Sequence, residues 1–320
     1  MKRTIALAAG LFAALGYGGC AAAGDTITVG KAQAFGFTFV PVDIGIEMGI
    51  WKKHGFDEVK IVAFNGDARM QQGLISGDVD FGLGGGPAMA FSVRGAPQKA
   101  VAAYAGPPRN ICLGVAYNST LAKPSDFKGK RLGVSTAGSL TDWLARRMAV
   151  VQGWGPDGVQ SIPMGGMEPR LAAIKTGQID AMVIGVEVGY QLAEKKELKC
   201  VYNYGDLVSD FITHVIFART AAIEKNPDLV QRFVNGWFET FAFMRANKAK
   251  TVDIAARVLK QSDAIMSRAY DEEMPMLTKD GTFDPKAVAV LKDSFIEMHL
   301  LQEKPRDDEL FTTKFVPAKF

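Results

Sequence analysis

A chain of 320 residues with 48% hydrophobic and 22% charged residues is long enough for about two folded domains and too apolar to be disordered. Its 37 basic and 34 acidic residues leave a formal net charge of +3, which excludes the basic field that a nucleic-acid backbone requires. Three cysteines and three histidines are too few and too scattered for a metal cluster or a disulfide framework, so neither a metal nor a cofactor is expected.

Lys2 and Arg3 precede the apolar run Ile5 to Leu15, and Ala21-Ala22-Ala23 supplies the small residues that signal peptidase needs. Residues 1–23 therefore read as a signal peptide on an exported, periplasmic protein. The run is shorter than the roughly 20 residues that span a bilayer. Gly18-Gly19 before Cys20 also admits lipid attachment at Cys20, although Tyr17 stands where such a box has leucine.

Beyond the leader, Thr26 to Gly30 alternates and is β-branched, which predicts a strand. Pro41 suits the first position of a helix, and Val40, Ile44, Met48 and Trp51 recur at helical spacing until Gly55. Val59 to Phe64 is the next strand, Ala68 to Ser76 a helix closed by Gly77, and Val79 to Leu83 a strand, after which Pro87 opens another helix. The order then repeats. Lys130 to Val134, Val159 to Pro163 and Ile179 to Ile184 are strands, separated by helices over Thr141 to Gln152 and Arg170 to Thr176. Gly77, Val79, Asp80 and Gly85 are matched, at an offset of 100, by Gly177, Ile179, Asp180 and Gly185. Turn chemistry alone explains Gly at a helix end and Asp at a strand start, but not two whole units in one order. The spacing predicts an α/β fold of two similar lobes, each a mainly parallel sheet flanked by helices. The extended apolar segments Ile111 to Ala116 and His214 to Ala218 are where the chain would cross to a second lobe and return. Lobe 1 is then 25–113 plus 214–320, and lobe 2 is 114–213. Leu229, Phe233, Trp237, Phe241 and Met244 form a helical stripe, and Leu291 and Phe295 mark a last helix. The polar tail past Lys304 is expected to be loosely held.

Three loops at strand ends offer ligand chemistry. Gly84, Gly85 and Gly86 follow a strand and precede a helix, which reads as a tight turn or as backbone N–H groups open to a ligand; no Gly-Lys-Ser/Thr follows, so it is not a phosphate loop. Ser135, Thr136, Gly138 and Ser139 precede a helix and read as its cap or as a site for an anion or polar group. Phe35 and Phe37, in a run with Phe39, are either a strand with one buried face or apolar walls of a pocket. Glu187, two residues after Gly185, suits an amine or hydroxyl of a ligand, or simply a helix start. Trp143 suits a pocket wall or core packing equally, while Arg109 and Asp210 are further candidates that surface exposure explains better. His54, His214 and His299 have no cysteine or aspartate partner at a recognised spacing, so no catalytic residue is assigned. Cys112 and Cys200 read equally as a disulfide or as free buried thiols.

Ser125 to Val134, with Asp126-Phe127-Lys128-Gly129-Lys130 at its centre, resembles the start of the second lobe in nitrate/taurine/sulfonate-type substrate-binding proteins of ABC importers. Gly49 to Phe56, Leu74 to Asp80 and Asn226 to Val230 resemble three further motifs of that family, in the same order, over nearly the whole chain after the leader. Thiamine-pyrimidine binders and pyrimidine synthases are distant relatives, and the Cys-rich motif of the synthases is absent. The resemblance implies a type II periplasmic binding fold, acting as a monomer that closes by a hinge on a small molecule and docks to a membrane permease. Its ligand loops carry over to Gln33 to Phe37, Gly84 to Pro87, Ser135 to Ser139, Gly165-Gly166 and Gly185 to Val188, which adds Gln33 and Gly166 to the candidates. The Gly-rich turn, the Phe-rich loop and Glu187 depart from the sulfonate binders. The expected solute is a small organic anion such as an aromatic carboxylate or sulfonate; the alternatives are a pyrimidine or related heterocycle and, beyond these, an enzyme on the same fold.

Overall fold

The computed structural model describes residues 24–320, so the expected leader and Cys20 lie outside the described residues. The strands are β1 (Asp25–Lys31), β2 (Phe56–Ala63), β3 (Phe81–Gly85), β4 (Gln98–Ala105), β5 (Ile111–Ala116), β6 (Arg131–Val134), β7 (Gln160–Pro163), β8 (Ala181–Gly185), β9 (Leu198–Asn203) and β10 (His214–Arg219). They form two five-stranded sheets, ordered β2-β1-β3-β10-β4 and β7-β6-β8-β5-β9. In each sheet the first three strands are parallel, and the fourth, β10 or β5, runs antiparallel to both neighbours.

The longer helices are α1 (Pro41–Glu47), α2 (Asp67–Ser76), α3 (Leu140–Val151), α4 (Met167–Lys175), α5 (Val186–Glu194), α6 (Pro227–Ala246), α7 (Lys248–Leu259), α8 (Asp263–Glu273) and α9 (Pro285–Glu297). The repeat seen in the sequence has a common geometry. Asp80 accepts the Thr28 N–H at 2.7 Å, and Asp180 accepts the Arg131 N–H at 2.8 Å, so each aspartate pins the central strand of its sheet's parallel set. Phe233, Trp237, Phe241 and Met244 on α6 are fully buried, and Phe233 stacks on Phe81 at 3.9 Å.

Three expectations need correction. The helix expected through Trp51 breaks at Gly49, whose φ of +69° favours glycine, and Met48 is exposed rather than on the buried stripe. The two segments read as crossings are strands of the sheets; the crossings are the neighbouring stretches 106–110 and 204–213. Each of these strands enters directly from the other lobe, which is why it opposes the parallel set. The edge strands β4 and β9 are additions to the sequence reading. The tail past Lys304 is docked: Leu310, Phe311 and Phe315 are buried, and Phe311 stacks on Phe283 at 4.1 Å. Cys112 on β5 and Cys200 on β9 form a disulfide, which resolves the open choice between bond and free thiols.

Candidate ligand-binding cleft

The carboxyl ends of the parallel strands in both sheets face one cavity, the usual place for ligands in open α/β sheets. The space between its walls is about 700 Å³, open mouth included. The lobes touch around it. Glu187, on the first turn of α5, accepts the Phe37 N–H of the other lobe at 2.9 Å. Asp67, at the start of α2, accepts the Gly85 N–H at 2.7 Å and, across the cleft, the Leu140 N–H at 3.3 Å.

Of the residues expected from sequence, Gln33, Phe35, Gly85, Ser135 and Glu187 line the cavity. Phe35 stands at 46% exposure. Phe37 does not line it: its ring is fully buried and edge-on to Tyr270, and only its N–H reaches Glu187. Gly84 lies under the wall against Met70 and Asp67, where a Cβ would come within 2.6 Å of Met70 Cε. Gly86 packs on the Ile212 carbonyl and donates its N–H to Thr213. Ser139 caps α3, its Oγ accepting the Asp142 N–H at 3.3 Å, while the Gly138 N–H donates to Asp142 Oδ2 at 2.9 Å. Thr136 faces Gly66 and Gly166 faces Asn65, so both sit where the lobes meet rather than on the cavity wall. Trp143 is core, stacked on Phe211 at 3.8 Å, and its indole N–H donates to Glu297 at 2.7 Å. Arg109 lines a separate groove beside the disulfide.

Phe39, the third aromatic of the expected run, lines the cavity too, and so do residues that the sequence reading did not single out for a ligand: Thr38, Asp67, Asn110, Arg170 and His214. Burial pushes the Asp67 carboxyl up against the pull of its two N–H donors. Burial also pushes Glu187 up, opposed by its own N–H and that of Phe37 and aided by the charge of Glu272. His214 falls to about 3 because it is buried, so it is neutral, and its ring packs on Phe39 at 5.0 Å. Burial lowers Arg170 to about 10, which leaves it a cation at neutral pH; it donates to the carbonyls of Gly166 and Val183. Thr38 Oγ1, Asn110 Oδ1 and Glu187 Oε2 are buried oxygens without a hydrogen-bond partner. Such a set is costly unless something donates to it. Among the described residues no group of His, Cys, Asp and Glu is arranged to hold a metal.

Two α/β lobes around a cleft with unpaired polar groups define the periplasmic-binding-protein fold. Residues 37–250 match the family described as NMT1/THI5 like, and the chain belongs to that family. It is 27% identical over 287 residues to a Brucella abortus (strain 2308) protein provisionally named a binding protein, covering 86% of this chain and 87% of the other. The alkanesulfonate-binding protein SsuA of Xanthomonas axonopodis pv. citri, solved with MOPS bound, superposes with a TM-score of 0.73 at 18% identity, covering 88% of this chain and 94% of that one. The nitrate-binding protein NrtA of Synechocystis PCC 6803 gives 0.69 at 14% identity, covering 89% and 83%. The resemblance drawn from the sequence motifs is thus met at the level of the fold.

Proposed function

We propose that this protein is the extracytoplasmic solute receptor of an ABC importer, a periplasmic monomer that closes on a small nitrogen heterocycle and presents it to a membrane permease. Soluble export and anchoring through Cys20 both fit this role. The importer role is supported by the family, by the binding proteins that share the fold, and by the cleft between two lobes. Fold alone does not separate binding from turnover, so the non-enzymatic reading is part of the proposal.

The observation that carries the solute class is the trio of unpaired buried oxygens on Thr38, Asn110 and Glu187. The Asn110 amide oxygen and the Glu187 carboxylate oxygen call for N–H or O–H donors, the Thr38 hydroxyl can give or take a hydrogen bond, and an aminopyrimidine offers both kinds of group in one plane. Phe35 and Phe39 offer apolar contact to its faces. The organic-anion reading is favoured by one feature, the buried guanidinium of Arg170, which would equally donate to a ring nitrogen or carbonyl oxygen. Titration calorimetry with cytosine, benzoate and methanesulfonate tests the choice. Cytosine is expected to bind more tightly than either anion, and Glu187→Gln to weaken it at least about tenfold by removing an acceptor. Tighter binding of an anion would overturn the heterocycle reading, and conversion of cytosine to a new mass would overturn the non-enzymatic one.

A further inference from the structure

We infer that Asp67 sets the charge class of the solute: its carboxylate fills, from the opposite lobe, the positions at which the backbone would otherwise hold an anion, and so bars anions from the cleft. The inference rests on reading the cleft as the solute site. A helix start and a Gly-rich turn at strand ends are the backbone features that attract a solute carboxylate or sulfonate. Here one internal carboxylate takes both. Asp67 Oδ1 accepts from Gly85 in the Gly-rich turn, and Oδ2 accepts from Leu140, the first residue of α3.

Four neighbouring N–H groups are also occupied by the chain. Gly86 donates to the Thr213 carbonyl, Ser135 to Thr141 Oγ1, Gly138 to Asp142 Oδ2, and Asp142 to Ser139 Oγ. Asp67 is 4% exposed and stands in the cavity wall, so solvent screens its charge poorly. Its carboxylate oxygens also make their hydrogen bonds outside its own helix. Gly66 is the cap residue of α2, without a side-chain hydrogen bond, and the Asp67 carboxylate reaches a strand and the other lobe instead. A solute anion at this place meets like charge and finds the Gly85 and Leu140 N–H donors used; a neutral heterocycle meets neither obstacle.

The test compares wild type, Asp67→Asn and Asp67→Gly by titration calorimetry with methanesulfonate and benzoate at low ionic strength. Asn removes the charge at nearly constant shape, and Gly also frees the two N–H groups. Asp67→Gly is expected to bind the anions at least tenfold more tightly than wild type, with Asp67→Asn between. Folded variants that bind no better than wild type would overturn the inference. A wild type that binds either anion as tightly as the variants would also overturn it. Cytosine titrated in parallel separates the two readings. An anion gain in the variants with no cytosine binding by wild type removes the heterocycle and keeps the role of Asp67, whereas cytosine binding without an anion gain removes the role of Asp67 alone.

Discussion

Phe35 and Phe37 are two residues apart and differ completely in surroundings. Phe35 is half exposed at the cavity mouth, and Phe37 is sealed under the cleft against Tyr270. Phe35→Ala should weaken solute binding by about 1–3 kcal/mol and leave the melting temperature unchanged. Phe37→Ala should instead cost about 3–5 kcal/mol of fold stability, read by denaturant unfolding. Equal behaviour of the two variants would contradict this division. The sequence offered no way to divide them, because Phe37–Phe39 is a single 3-10 turn entered through Gly36 at a φ of +140°, not a strand or helix with a phase. Asp67 was equally silent. Its partner Leu140 lies 73 residues away, and nothing local distinguishes it from any acid at a helix start. Glu273 on α8 is fully buried with both carboxylate oxygens unpaired. Burial first, then the charges of Glu187 and Glu272, push it well above the usual carboxylate range. Because the folded protein holds that proton more tightly than the unfolded chain, the stability it brings is full at acid pH and is lost as pH rises through the raised value. Glu273→Gln should therefore flatten the decline of melting temperature with rising pH and melt higher than wild type at alkaline pH. Parallel curves for the two proteins would exclude an ionising Glu273.

At the level of elements, the repeat was the most legible feature. Gly77 and Gly177 both end helices with positive φ, and Asp80 and Asp180 make the same bond to the central strand of their sheet's parallel set. These are local rules of turn chemistry, so they survive reading without a structure. The edge strands β4 and β9 were not legible. Gln98–Ala105 is rich in alanine and Leu198–Asn203 carries Lys199 and Cys200, so neither has the β-branched signature of a strand. Their pairing with β10 and β5 is what makes them strands. The disulfide joins β5 to β9 across 88 residues of chain. Replacing Cys112 and Cys200 by alanine should lower stability by about 2–4 kcal/mol, since the bond constrains a long loop in the unfolded chain. Thermal unfolding with and without reductant reads this, and no change would place the stabilisation elsewhere.

For the whole molecule, the lobes meet through two short crossings and through contacts on either side of the cleft. Glu187 reaches from the second lobe to Phe37, and Asp67 from the first lobe to Leu140. Behind the cleft, Trp143 and Arg147 of α3 both donate to Glu297 of α9. The two-lobe plan was readable from the order of elements, and the strand-end loops gave the neighbourhood of the cavity. The polarity of the cavity was not readable, because it is set by which side chains from distant loops arrive unpaired. The sequence alone favoured an anion at the start of α3, where the structure has the carboxylate of Asp67. The central claim is that the cleft retains a nitrogen heterocycle. Native mass spectrometry of protein purified without added solute, followed by denaturation and identification of the released molecule, tests it most directly. A neutral or cationic nitrogen heterocycle with N–H donors is the expected release; a sulfonate or an aromatic carboxylate would overturn the heterocycle reading.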